Sequence, residues 1–289
     1  MANVRVGISR WSLTIVSAGL LLFGSHSLLA HAAAVQVPSA RPVLRVLFIG
    51  NSYTSFNNIG DIVAGIAAAD PDAPIIVPVL ATRGGATLKW HLENGSAVRQ
   101  LEAGGWHYVV LQEQSLLGGR IVDGKTIVGD PGAFHASVRE WVRRIRAVGA
   151  TPILYMTWAR REPAEAARVQ KELADAYQGI GRELDVPVAP VGLAWAEARR
   201  RLGTLDLHIW DGSHPTPAGS YLAGLVIYST LTKRSPLSAP SVIQGRPAVL
   251  SSEETVIDSM LRVPLVDLRE ATAAELRKTA WTVVSHEAR

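Results

Sequence analysis

Cysteine is absent from all 289 residues. The chain therefore has no disulfide, no thiol nucleophile and no thiolate metal ligand, and its stability must rest on a hydrophobic core, which this length is ample to build. A large excess of one charge is missing too: 29 Lys and Arg stand against 25 Asp and Glu, a formal +4. That surplus is too small to point to a nucleic-acid partner. Neither HExxH nor GxGxxG occurs, no phosphate-binding loop is expected, and no bunching of His, Asp and Glu suggests a metal. The chain is thus read as needing no metal and no cofactor.

What is present begins with a leader. Arg5 and Arg10 precede the apolar run "WSLTIVSAGLLLFG", and "AHAAAV" follows. These are the charged, apolar and small-residue parts of a secretory signal peptide over 1–34, ending at Ala32 or Ala34. The expectation is a secreted or periplasmic protein without stable membrane insertion after cleavage. A retained anchor is the competing reading, since the run falls only somewhat short of the ~20 residues that span a bilayer. The leader carries two Arg and no acid, so its removal leaves 27 basic against 25 acidic residues.

After a short linker at 35–42, apolar runs alternate with helical patterns. "VLRVLFIG", "APIIVPVLAT", "HYVVLQ", "TPILYMTW" and "VPVAPVG" read as strands, each a continuous apolar run of the kind covered on both faces in a parallel sheet. Helices are expected near 58–69, 96–103, 133–148, 162–185, 193–202 and 216–232. In the third, Phe134, Val138, Trp141, Val142 and Ile145 share one face, and Gly149 supplies a stop. The alternation predicts an α/β domain over 43–234, a doubly wound sheet with right-handed crossovers. Residues 235–289 break the rhythm. They are rich in Pro and Ser and then close with a helix bearing Leu276, Ala280 and Val283, and they read as an appendage packed on the domain.

In an open α/β sheet ligands meet the carboxyl ends of the strands. The residues just past those ends are Gly50, Asn51 and Ser52, then Thr82 to Gly85, then Gln112 to Ser115, and Trp158; "WDGSHPTPAG" with Trp210, Asp211 and His214 precedes the last helix of the domain. A serine hydroxyl is a poor nucleophile without a base, which His214 can be, while Asp211 can hold the imidazole in the useful tautomer. Taken singly these residues have plainer uses. Ser52 can cap a helix, and Asp211 and Ser213 can start one.

In combination they form a pattern. The chain resembles the SGNH, or GDSL-like, hydrolase family, in the branch with GNSxT as first motif and LQEQS as third, through "IGNSYT", "TRGGAT", "VVLQEQS" and "DGSHPT" over roughly residues 43–232. The resemblance implies a flavodoxin-like three-layer α/β/α sandwich with a mostly parallel five-stranded sheet. It implies a Ser-His-Asp triad of Ser52, His214 and Asp211, with an oxyanion hole from the N–H groups of Ser52 and of Gly84 or Gly85. The third motif lacks the family's usual Asn. Gln114 stands at that place, with Gln112 as the alternative donor.

The expected activity is that of a serine esterase acting on a small-molecule or glycan ester, with O-acetylated carbohydrate as one substrate class. A lipase or thioesterase for longer acyl chains, and an idle cell-envelope binding protein of the same fold, are the alternatives. Asn51, Trp158 and Trp210 are candidate substrate contacts. The glycine-rich stretch 116–132 reads either as a lid or as a surface loop.

Overall fold

Why the first apolar run becomes a central strand follows from its burial. In the computed structural model, which describes residues 41–162, 164–249 and 254–287, strand β1 (Val43–Gly50) buries every residue from Val46 onward. The signal peptide and nearly all of the linker expected from the sequence lie outside the described residues. Among the described residues no helix is long and apolar enough to cross a membrane.

The chain continues through α1 (Ser52–Ser55), α2 (Ile59–Ala68), β2 (Ile75–Thr82), α3 (Leu88–Asn94), α4 (Ser96–Glu102), β3 (Tyr108–Leu111), β4 (Arg120–Val122) and β5 (Lys125–Ile127). Next come α5 (Pro131–Ala147), β6 (Thr151–Tyr155), α6 (Ala166–Leu184), β7 (Val188–Ala189), α7 (Val191–Arg201) and α8 (Pro217–Thr232). Five strands pair in parallel in the order β2-β1-β3-β6-β7, which is the doubly wound order with the switch point beside β1. Register places Gly50 beside Thr82, Ile49 beside Leu111, Leu111 beside Leu154, and Tyr155 beside Ala189. The carboxyl ends of all five strands therefore share one edge.

The longer helices form where the sequence signals them, while the short α1 and α3 were not expected. Asp130 caps α5 by accepting from the Gly132 N–H, Pro131 occupies its first turn, and Phe134, Val138, Trp141, Val142 and Ile145 are buried; Gly149, at φ +77°, follows its end. Helix α8 is buried from Ala218 to Leu231, so its sequence shows no polar face. A helix apolar all round belongs inside a core, and α8 packs against α2 and α7.

Two regions escaped the sequence reading. The stretch expected as lid or loop contains the hairpin β4–β5, and it is pinned: the Thr126 N–H donates to Glu165 Oε2 at 2.6 Å, and Arg168 Nη2 donates to the Thr126 carbonyl at 2.8 Å. Residues 119–126, "GRIVDGKT", do spell GxxxxGK[ST], contrary to the expectation that no phosphate-loop pattern occurs. The letters are a coincidence, because a P-loop needs a strand, an open turn and a helix start, whereas these residues pair with one another as antiparallel strands.

The C-terminal segment holds β8 (Val242–Gly245), β9 (Ala248–Val249), β10 (Val256–Ile257), β11 (Val263–Asp267) and α9 (Glu270–Glu287). Pairing is antiparallel between β8 and β11 and between β9 and β10. Ile243 lies on the bare flank of Gly65 in α2, and Arg246 grips Asp61 through its guanidinium and its own N–H. Helix α9 buries Leu276 and Ala280, with Val283 packed at the margin of the core. The described residues form one compact unit. At the strand-end edge the Thr255 N–H donates to the Thr82 carbonyl at 2.8 Å, which brings the C-terminal segment to the rim beside Gly84.

Candidate active site

Strand β1 ends in a turn that leaves no space for a side chain at Gly50. A Cβ there would lie 2.6 Å from both Gln112 Oε1 and Thr54 Oγ1. Asn51 then caps the short helix α1, its side chain accepting from the Tyr53 N–H. Ser52 is the first helical residue and is half-buried at the carboxyl edge of the sheet.

The loop between α7 and α8 faces it. Gly212 takes φ +67° and its carbonyl accepts from the Arg161 N–H at 2.8 Å. Asp211 Oδ1 accepts from the N–H groups of Ser213 (2.8 Å) and His214 (2.9 Å), so the carboxylate is held by its own turn. Its Oδ2 lies 2.5 Å from His214 Nδ1, and His214 Nε2 lies 2.8 Å from Ser52 Oγ. Three residues separated by up to 162 positions thus form one continuous relay. Burial pushes the Asp211 carboxyl up, but the bonds from the His214 ring and the two N–H groups outweigh it and leave the carboxyl below its ordinary range.

Aromatic packing orients the imidazole. Phe56 stacks on the His214 ring at 4.6 Å and Tyr53 meets it edge-on at 5.7 Å. The Tyr53 hydroxyl bonds Ser213 Oγ at 2.8 Å, and Trp158 Nε1 donates to the Ser213 carbonyl at 3.0 Å. Trp158 is stacked between Tyr53 (4.3 Å) and Trp195 (3.9 Å) and only 1% exposed.

That burial corrects the expectation that Trp158 contacts substrate: no ring face is open, and its work is to hold the loop bearing His214. Asn51 is corrected likewise. Besides capping α1 it accepts from Gln112 Nε2 at 3.0 Å and donates to the Ala86 carbonyl at 2.9 Å, and at 2% exposure its side chain is out of a substrate's reach. Trp210 differs from both, being 91% exposed beside Asp211.

The two glutamines are placed differently. Gln112 is fully buried, its Oε1 accepting from the Asn51 N–H (3.0 Å) and Thr54 Oγ1 (2.7 Å) while its Nε2 faces Asn51 Oδ1 and the Glu113 carbonyl. It ties the turn after β1 to the end of β3 and is not an available oxyanion donor. Gln114 is half-buried. Its Oε1 accepts from the N–H groups of Leu116 (2.8 Å) and Gly118 (3.0 Å), and its Nε2 donates to Ser115 Oγ at 3.3 Å, which leaves one amide hydrogen for a ligand. Gly84 and Gly85 are exposed, Gly85 at φ +69°. Neither they nor the Ser52 N–H has an intramolecular acceptor among the described residues.

Two buried titratable residues were not singled out from the sequence. His91 Nε2 lies 2.7 Å from the Gly50 carbonyl, and burial pushes its pKa down, so a neutral ring donates to the end of β1. Glu113 carries a carboxyl that burial pushes up to about 7. Its signal lay in the quoted LQEQS itself, an acid between two amides at a strand end. A cavity of about 510 Å³ sits behind Trp158, lined by Arg161, Trp195, Arg199 and His208 among others, with no triad residue in its wall.

No protein-family model and no curated protein matches the chain. Solved structures do. A protein of Slackia heliotrinireducens, described as a candidate SGNH hydrolase, is 29% identical with a TM-score of 0.53, over 65% of this chain and 99% of that one. A DUF4886 family protein from Bacteroides uniformis is 17% identical with a TM-score of 0.61, over 86% of this chain and 96% of that one. That share exceeds what residues 1–232 contain, so the common fold extends into the C-terminal segment. A lipase/acylhydrolase from Enterococcus faecalis, 18% identical with a TM-score of 0.51 over 64% of this chain and 93% of that one, shares the fold. With a parallel sheet in the order β2-β1-β3-β6-β7, the chain has the SGNH-hydrolase-like α/β fold and is similar to the candidate SGNH hydrolase of Slackia heliotrinireducens.

Proposed function

We propose that the chain is an exported serine esterase in which Ser52 is the nucleophile, His214 the general base and Asp211 the residue that orients it. The observation that carries this reading is the unbroken relay from Asp211 Oδ2 through His214 to Ser52 Oγ, at 2.5 and 2.8 Å. Ser52 attacks the ester carbonyl as its proton passes to His214 Nε2. The same proton then goes to the departing alkoxide, leaving an acyl-enzyme. Water, deprotonated by His214, releases the carboxylic acid and restores Ser52. The charge on the tetrahedral oxygen is met by the N–H groups of Ser52 and of Gly84 or Gly85 and by the free amide hydrogen of Gln114. Each such donor typically lowers the barrier by roughly 2.7–4 kcal/mol.

The substrate class we favour is an O-acetylated carbohydrate. Trp210, exposed beside Asp211, offers an indole face for a sugar ring, and the N-terminal leader pattern supports a location where glycans are met.

The test is hydrolysis of p-nitrophenyl acetate and of acetylated sugars by the mature protein beside Ser52→Ala. Wild type should turn over both and react with a fluorophosphonate, and Ser52→Ala should do neither. Trp210→Ala should raise KM for the acetylated sugars and leave p-nitrophenyl acetate hydrolysis unchanged. Wild type with no turnover above Ser52→Ala on any ester, and no labelling, would turn the reading into that of a binding protein.

A further inference from the structure

We propose that Glu113 is a positioning residue for the esterase reaction, its buried carboxylate clamping together the two loops that carry the oxyanion donors Gly84 or Gly85 and Gln114. The inference rests on the esterase reading above. One oxygen, Oε1, accepts from the Gln114 N–H at 2.6 Å, and the other, Oε2, accepts from the Leu88 N–H at 3.1 Å. Leu88 opens α3, directly after the 83–87 loop that contains both glycines. A single side chain therefore spans the turn after β3 and the turn after β2.

The clamp belongs to a wider linkage. Asn51, next to Ser52, donates to the Ala86 carbonyl within that same glycine loop, and Gln112 binds Asn51 through its N–H and its side chain. Three consecutive residues of "LQEQS" thus divide the work. Gln112 fixes the nucleophile turn, Glu113 fixes the glycine loop, and Gln114 presents the amide. Apart from Glu113, the glycine loop reaches the turn after β3 indirectly, through the end of β1, where the Arg83 N–H donates to the Gly50 carbonyl at 3.3 Å and Asn51 donates to the Ala86 carbonyl.

The chemistry of the carboxylate explains why an acid stands there. Only an ionised carboxylate accepts at both oxygens without a proton of its own, so it alone suits two N–H donors arriving from different loops. The side chain is 3% exposed, and among the described residues no Arg, Lys or His is bonded to it. The polar groups on it are the N–H groups of Leu88 and Gln114, with the Tyr177 hydroxyl of α6 against its own N–H at 3.2 Å. A cation beside it would have held the carboxylate ionised to lower pH. Burial without a cation instead pushes its carboxyl up to about 7.

The substitution Glu113→Gln keeps size and shape but turns an NH2 toward one of the two donors. On p-nitrophenyl acetate its kcat should fall at least tenfold with KM within twofold of wild type. Labelling of Ser52 by a fluorophosphonate should persist, because the relay of Ser52, His214 and Asp211 is untouched. The acid limb of the kcat profile should lose an ionisation near 7. In the wild type, whatever the fate of the variant, the amide resonances of Leu88 and Gln114 should titrate together with a midpoint near 7. A Glu113→Gln enzyme with wild-type kcat and pH profile, or wild-type amides that do not move together, would overturn the clamp. Wild type that neither turns over esters nor takes the label would instead overturn the esterase reading, while the amide titration still decides the clamp.

Discussion

At the scale of single residues, the site depends on side chains whose partners are already satisfied. Asp211 is held by two N–H groups of its own turn before it meets His214, so its carboxylate comes pre-aimed. Replacing it with Asn leaves the turn but offers an NH2 where the imidazole N–H must donate, which favours the wrong tautomer. We expect Asp211→Asn to lower kcat by roughly 10³- to 10⁴-fold with thermal stability nearly unchanged. A loss below tenfold, measured by steady-state kinetics, would show that Asp211 does not orient the base. The motifs "IGNSYT" and "DGSHPT", through the family they resemble, singled out Ser52, Asp211 and His214, and the fold brings the three side chains together. Sequence reading went astray at Asn51 and Trp158, offered as substrate contacts but buried inside the fold, whereas Gln112, the alternative to Gln114 as oxyanion donor, spends its amide on Asn51 and the Glu113 carbonyl.

At the scale of elements, helices α2 and α8 and the strands beyond α8 hold one another. Arg246, after β8, meets Asp61 in the first turn of α2, whose side chain is only 7% exposed. Removing the guanidinium would strand a carboxylate that its bonds to Arg246 hold below the ordinary range against the opposing push of burial. Arg246→Ala should therefore cost about 2–3 kcal/mol in urea denaturation, somewhat under the full cost of an orphaned buried charge because Arg246 is partly solvated. A cost below about 0.5 kcal/mol would place the pair among ordinary surface contacts. The Pro- and Ser-rich composition after residue 235 marked a change of rhythm. It could not tell that β8 lies on α2, because that contact depends on Gly65 leaving room for Ile243.

At the scale of the whole molecule, two carboxyls make stability depend on pH in opposite directions. Asp70, bonded by Arg234 and Tyr228, is held down to about 2 against an ordinary value of ~3.9. Its contribution is complete above ~pH 4 and is lost as pH falls toward 2, since the unfolded chain then binds the extra proton. Glu113 is pushed up to about 7, above an ordinary ~4.3. In that window the folded state binds the extra proton, so stability declines as pH rises from ~4.3 to ~7. Asp70→Asn should flatten the acid side of a stability–pH curve and Glu113→Gln the neutral side. Parallel curves for variant and wild type in those windows would contradict the assignment. By itself the sequence determined the alternation of the five sheet strands with the longer helices and hence the doubly wound class, because these follow from local periodicity, while its short motifs, through the family they resemble, pointed to Ser52, His214 and Asp211. Only the tertiary structure decided which amide stays free, which tryptophan is stacked away and that Glu113 joins two loops. Those outcomes depend on which polar atoms find partners across 25 to 162 residues of chain, a distance over which no local pattern carries information.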